Sequence, residues 1–352
     1  MTAAPADTAA GPPLLEAVGL TKDFAVRGGG RRQVLRAVDG VDLTVRAGES
    51  VGVVGESGCG KSTMGRLLTR LLEPSSGELR FEGQDITHAT RRQLAPLRSQ
   101  IQMVFQDPYA SLNPRQTVGT IISTPLQVHR IDPPGGRAAR VRELLETVGL
   151  SPEHSNRFPH EFSGGQRQRI GIARALALEP RVIVADEPVS ALDVSIQAQV
   201  VNLMQRLQRE QGIAFVFIAH DLAVVRHFSQ RVLVMYLGAV VESGTREQLY
   251  GSPRHPYTRA LLSAVPEPDP RPAARAAADA ARVTLTGDVP SPLDPPSGCR
   301  FRTRCPRAQS LCAEQRPALT DLGGGQLAAC HFPEPVDAAV TQGDRGGAGR
   351  YS

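Results

Sequence analysis

Gly55-Glu56-Ser57-Gly58-Cys59-Gly60-Lys61-Ser62 has the residue types and spacing of a phosphate-binding loop. Its glycines let backbone N–H groups curl around phosphate oxygens without Cβ clashes. A helix opening at Lys61 would add the positive end of its dipole. Lys61 can meet the β- and γ-phosphates as a compact charge, and the Ser62 hydroxyl can ligate Mg²⁺. Thr63, the next residue, joins the set facing the phosphates. The apolar run Val51–Val54 precedes the loop, as a buried strand feeding it should. These residues predict binding of a nucleoside triphosphate.

A second group supplies carboxylates. Val182-Ile183-Val184-Ala185-Asp186-Glu187 is an apolar strand that ends in two acids. In doubly wound sheets ligands bind at the carboxyl ends of strands. Asp186 is placed to hold Mg²⁺, and Glu187 to polarise a water in line with the γ-phosphate. Taken alone, such a strand end is more often merely solvated; behind a phosphate-binding loop it reads as catalytic. Ile213–Ala219 is another apolar run, and it ends in His220, suited to contact the γ-phosphate and orient Glu187 and water. Gln106 ends the Ile101–Phe105 run and could sense metal or water, although a lone Gln says little by itself.

A third group is sulfur. Cys299, Cys305, Cys312 and Cys330 follow C-x5-C-x6-C-x17-C. Four thiolates suit an iron–sulfur cluster or a structural zinc ion, and buried free thiols are the plain alternative. The C-x2-C pairs usual in zinc ribbons are absent. Cys59, inside the phosphate loop, reads as a small neutral filler that could make the enzyme sensitive to thiol reagents.

These residues need elements to position them. Strands are expected at Val34–Val45, Ser50–Val54, Glu78–Phe81, Ile101–Phe105, Val182–Ala185 and Ala214–Ala219. Helices are expected at Lys61–Leu72, Arg137–Val148, Gly165–Leu178 and Ser195–Gln211, and a hairpin at Arg231–Gly244 turning near Gly238. The alternation predicts an α/β domain over residues 14–251 with a largely parallel sheet. Residues 1–13 read as a flexible leader and 336–352 as a disordered tail. Pro266, Pro268, Pro270 and Pro272 form a stiff link inside a Pro/Gly-rich region, residues 252–335, that holds the cysteines.

Composition excludes other classes. The longest apolar run, Val232–Val241, is half the ~20 residues that a membrane helix needs. The Ala/Pro-rich start lacks the basic and apolar regions of a signal peptide, which predicts a chain that stays in the cytosol. The net charge of +5 is spread out, with 11 Arg against 10 acids over residues 255–352, unlike the basic stripe of a nucleic-acid binder. Only Lys22 and Lys61 are lysines among 40 basic residues, so the chain writes nearly every cation as Arg but keeps Lys in the phosphate loop.

Phe162-Ser163-Gly164-Gly165-Gln166-Arg167-Gln168-Arg169 decides the class. With the phosphate loop, Gln106, Asp186-Glu187, Ser190-Ala191-Leu192-Asp193 and His220 in this order, the chain resembles the ABC transporter ATPases. The resemblance implies a P-loop NTPase fold with an inserted helical subdomain, about residues 107–178, and a small Cys-containing C-terminal domain. It also implies that Ser163, Gly164, Gly165 and Gln166 close over the ATP of a partner subunit, giving two composite sites per dimer. Phe24 is the candidate for stacking on adenine, or else a core residue of an edge strand.

Phe105–Pro114, Val234–Gly238 and His255–Leu262 resemble the oligopeptide/dipeptide importer ATPases, nearest the F-type subunit. That implies a homologous ATPase partner, two permease subunits, an extracytoplasmic peptide-binding protein, a place at the cytoplasmic face of the membrane, and a [4Fe-4S] cluster on the four cysteines. Tyr109 and Leu112 would face the permease or simply pack the helical subdomain. A non-transport ABC ATPase, or an importer of a related solute such as a nickel chelate, is the alternative.

Overall fold

The computed structural model describes residues 12–28, 31–107, 111–265, 283, 285 and 287–335. The leader before Pro12, Tyr109, the proline link at 266–272 and the tail from 336 lie outside the described residues. The chain divides into two compact units. One takes residues up to Asp23, Val38–Val51 and Ser62–Ala219; the other takes Phe24–Ala37, Gly52–Lys61 and the chain from His220.

In the first unit three parallel strands lie side by side, Ile101–Val104, Val182–Asp186 and Ala214–Ile218. Val104 faces Ala185, and Asp186 faces Ile218. Every residue of the latter two strands is buried, as expected of strands covered on both faces. The same end of each strand therefore leads to a polar residue: Gln106, Glu187 and, further along the chain, His220.

Helices cover these strands by apolar faces at helical spacing. Lys61–Leu68 buries Met64, Leu67 and Leu68. Val194–Gln211 buries Val200, Val201, Met204 and Leu207, and closes on left-handed Gly212. Between Val104 and Val182 the regular elements among the described residues are helices, Val118–Val128, Arg137–Thr147 and Gly164–Leu176 being the longest. A second sheet has the order Arg31–Val45, Leu15–Gly28, Ser76–Phe81 and Gln84–Asp85, the last three paired antiparallel in succession.

Several boundaries differ from expectation. The first helix stops at Leu68 rather than Leu72. Arg70 turns left-handed with φ 52°, and its guanidinium is buried, donating to the Ile86 carbonyl at 2.8 Å. A long-range contact thus ends a helix that local propensity would continue. The Leu15–Gly28 strand has no counterpart among the expected strands, because Gly19 and Lys22-Asp23 break its apolar pattern. Arg91–Gln100 is helical despite Pro96, aided by a capping box between Thr90 and Gln93.

The second unit holds the hairpin Arg231–Tyr236 with Ala239–Thr245, which turns at left-handed Leu237 and Gly238. Leu327–Ala328 extends its sheet on one side, and the Gly52–Val54 end of the Ser50–Val54 strand flanks it on the other. Tyr236, Tyr257 and Phe301 pack together here with ring centroids 4.7–5.3 Å apart. The Glu242 carboxylate is fully buried and accepts from the Arg254 and His255 N–H groups and from Gln326 Nε2 at 2.7–2.9 Å. It binds the C-terminal segment to the hairpin through partners that satisfy it, as burial of a carboxylate requires.

Candidate active site

The phosphate loop lies in the second unit. Lys61 is 4% exposed, and its ammonium donates to the carbonyls of Gly55 at 2.7 Å and Glu56 at 3.0 Å. The lysine thus holds the loop that curls around it. Gly60 has φ +104°, and a Cβ there would stand 2.1 Å from the Ala37 carbonyl oxygen, so no other residue fits. Cys59 is buried, and burial pushes its thiol above the ordinary range, consistent with a neutral filler rather than a reactive group. Ser57 and Gly58 are exposed within the turn, while Phe24 is half-buried in its strand.

Ser62, the residue after Lys61, belongs to the first unit. Its hydroxyl donates to Asp186 Oδ1 at 2.8 Å, and Asp186 is buried. A hydroxyl and a carboxylate in contact are the hard oxygen donors that Mg²⁺ takes. Thr63 follows on the same helix and is half-buried.

Glu187 has φ 45°, in the left-handed region that non-glycine residues seldom occupy. Its N–H donates to the Ile218 carbonyl at 2.9 Å, holding the residue at the end of the neighbouring strand. Gln106 Nε2 donates to Glu187 Oε2 at 2.9 Å. The structure therefore joins two residues that sequence had linked only by motif order. His220 is exposed and belongs to the other unit.

The signature segment forms the start of Gly164–Leu176. The Ser163 hydroxyl accepts from the Gln166 N–H at 3.3 Å, and Gln166 Oε1 accepts from the Ser163 N–H at 3.0 Å. This reciprocal capping box fixes the start of the helix. Arg167 was not singled out by its sequence position. It is buried and donates to the Pro159 carbonyl at 2.6 Å, fixing the approach to the signature. Phe162 is buried against His154, with Arg157 over its ring. Leu112 is 2% exposed, so it packs within its unit instead of facing a partner.

The four cysteines line one small pocket together with His255, Phe301 and Phe332. Gly298 brings two of them together: its φ is +63°, a Cβ there would stand 2.4 Å from the Cys312 carbonyl, and the Cys299 N–H donates to that same oxygen at 2.7 Å. Among the described residues, no three His, Cys, Asp or Glu side chains converge as ligands of a single ion.

Comparison with known proteins settles the family. The profile described as "ABC transporter" matches residues 38–190, and that described as "Oligopeptide/dipeptide transporter, C-terminal region" matches 241–312. The oligopeptide transport ATP-binding protein AppF of Bacillus subtilis is 51% identical over 336 residues, spanning 94% of this chain and 99% of AppF. YkfD of the same organism is 52% identical over 321 residues, 91% of this chain and 95% of its own.

The chain belongs to the ABC transporter ATP-binding family.

Solved members agree. A dimeric post-hydrolysis state of the ATP-binding cassette MJ0796, bound to ADP and Pi, superposes with TM-score 0.60 at 30% identity over 66% of this chain and 98% of that one. CbiO1 of Clostridium perfringens, part of the ABC transporter complex cbiONQ, gives TM-score 0.59 at 28% identity over 68% of this chain and 91% of that one. The α/β P-loop NTPase fold expected from the motifs is therefore that of an ABC cassette, and the enzyme class is ATPase.

Proposed function

We propose that this chain binds and hydrolyses ATP to drive peptide import. In this reading it is one of two homologous ATPase subunits, seated with two permease subunits at the cytoplasmic face of the membrane and fed by an extracytoplasmic peptide-binding protein. The observation that carries the reading is the presence, in one chain, of an ABC cassette and the oligopeptide/dipeptide C-terminal region. Among the described residues no helix is long and apolar enough to cross a membrane, so membrane passage is assigned to the permeases.

In this account Lys61 neutralises charge on the β- and γ-phosphates and holds the loop closed through its two carbonyl partners. Ser62 and Asp186 would hold Mg²⁺, which offsets phosphate charge when bound. Glu187 takes the proton of the attacking water, and Gln106 keeps its carboxylate oriented. His220 contacts the γ-phosphate once the site is assembled. Phe24 supplies the ring on which adenine stacks. Ser163, Gly164, Gly165 and Gln166 meet the γ-phosphate of the partner's ATP.

A groove of about 500 Å³ in the first unit opens beside the strand that leads to Gln106. Phe105, Met103, Pro125, Val128 and Arg174 line it, and Val128 is 72% exposed. Its mixed apolar and cationic wall suits a short permease helix. Co-purification from cells should recover a homologous ATPase and two permeases with the chain; recovery of DNA or ribosomes alone would contradict the transport reading.

We propose further that Cys299, Cys305, Cys312 and Cys330 hold a [4Fe-4S] cluster. All four line one pocket, which is the observation that supports the reading. The cluster would staple a segment that has little core of its own. Anaerobically purified chain should contain iron and acid-labile sulfide at about four each per chain. Stoichiometric zinc would sink the assignment.

A further inference from the structure

The second unit ties the phosphate loop to the cysteine segment through Glu56, and every polar group of that residue is engaged. Its N–H donates to the Tyr257 hydroxyl at 2.9 Å, and its carbonyl accepts from Lys61 at 3.0 Å. Its carboxylate accepts two N–H groups from Arg304, at 2.8 and 3.1 Å. A two-pronged Arg–carboxylate pair fixes direction as well as distance. Both partners are shielded, with side chains 8% exposed for Arg304 and 25% for Glu56.

Arg304 is itself held in place. It lies in the turn from Cys299 to Cys305, where the Arg302 N–H donates to the Cys299 carbonyl at 3.1 Å and the Arg304 N–H to the Phe301 carbonyl at 3.0 Å. Phe301 is buried against Tyr236 and Tyr257. A second route leaves the same turn: Arg300 donates to the Leu237 carbonyl, and the following Gly238 N–H donates to the Cys59 carbonyl at 2.8 Å. Two hydrogen-bonded paths therefore join this turn to the loop that holds the phosphates.

The charge at Glu56 gives the link its consequence. A carboxylate within a phosphate-binding loop repels the polyphosphate unless it is neutralised and held aside. Arg304 does both.

We propose that Arg304 is a positioning residue of the nucleotide site, so that the state of the cysteine segment sets the affinity for ATP. The inference rests on the ATPase reading above. Linkage makes the coupling reciprocal, so nucleotide must also act on the Cys299–Cys305 turn.

Two experiments on the purified full chain test this. Arg304→Ala should raise KM for ATP about tenfold, a larger change than any fall in kcat. Adding Glu56→Gln to that variant removes the stranded charge and should recover most of the loss. Arg304→Lys, which keeps the charge and loses the fork, should fall between. An unchanged KM in Arg304→Ala, or no recovery on adding Glu56→Gln, overturns the proposal. Hydrogen exchange of the wild-type chain needs no variant to fold: ADP should slow exchange across Arg300–Arg307, and equal exchange with and without ADP overturns the coupling. A wild-type chain that neither binds nor hydrolyses ATP would instead overturn the ATPase reading itself.

Discussion

Glu187→Gln abolishes steady-state ATP turnover while leaving ATP bound. The substitution keeps the size of the side chain and its position at the strand end, where the main-chain N–H of residue 187 donates to Ile218. What it removes is the proton acceptor. Loss of a general base costs roughly 10²–10⁴ in rate, about 3–5 kcal/mol of barrier. Binding is spared because Lys61, Ser62 and the loop amides are untouched. ATP that is bound but not cleaved should hold two cassettes together, so size-exclusion chromatography of the variant with ATP and Mg²⁺ should show an earlier-eluting species that ADP does not produce. Turnover within twofold of the wild type would remove Glu187 from the catalytic role.

Lys61→Ala removes nucleotide binding itself. The ammonium is buried and makes two bonds to loop carbonyls, so the variant loses the loop's internal support along with its cation for the phosphates. Hydrogen bonds to a charged group contribute about 1.5–3 kcal/mol each. The ammonium's bonds to the phosphates are of this kind, and at 1.4 kcal/mol per tenfold the loss of two of them weakens ATP binding by about a hundredfold or more. Lys61→Arg should fail as well, although it keeps the charge. A planar fork cannot occupy a 4%-exposed slot shaped for a tetrahedral ammonium. This distinguishes the site from the rest of the chain, where 38 of the 40 basic residues are arginine. Titration with a fluorescent ATP analogue checks both variants, and wild-type affinity in Lys61→Arg would refute the shape argument.

Much of the site was legible because its chemistry is local. The loop lies between a buried strand and a helix within a short span, and spacing alone exposes it. The carboxylates end an apolar run, and the signature begins a helix, so neighbours in sequence are enough to place them. Parallel strands buried on both faces read as unbroken apolar runs, which is why Val182–Asp186 and Ala214–Ile218 were found. What escaped is non-local. Arg304 lies 248 residues from Glu56, and Tyr257 lies 201 residues from it. No periodicity or motif spacing records such a pair. The end of the first helix escaped for the same reason, since a buried Arg70 reaching Ile86 overrides the local preference. The Leu15–Gly28 strand escaped because its polar residues and glycine obscure alternation, although Leu15, Ala17 and Leu20 are buried.

The link between Glu56 and Arg304 also changes how the C-terminal region reads. From sequence it is an appendage behind a proline link. In the fold its arginines and aromatic residues reach the loop and the hairpin that flanks it. A cluster at the four cysteines would then sit one residue from the group that steadies the loop, at Cys305 beside Arg304.

Peptide uptake is the measurement that tests the central claim most directly. Cells lacking this chain should lose uptake of labelled peptides that the parent strain imports. The wild-type chain should restore it, and the Glu187→Gln variant, made and assembled at the same level, should not. Uptake that survives loss of the chain, or that Glu187→Gln restores in full, would contradict the claim that ATP hydrolysis at this site powers peptide import.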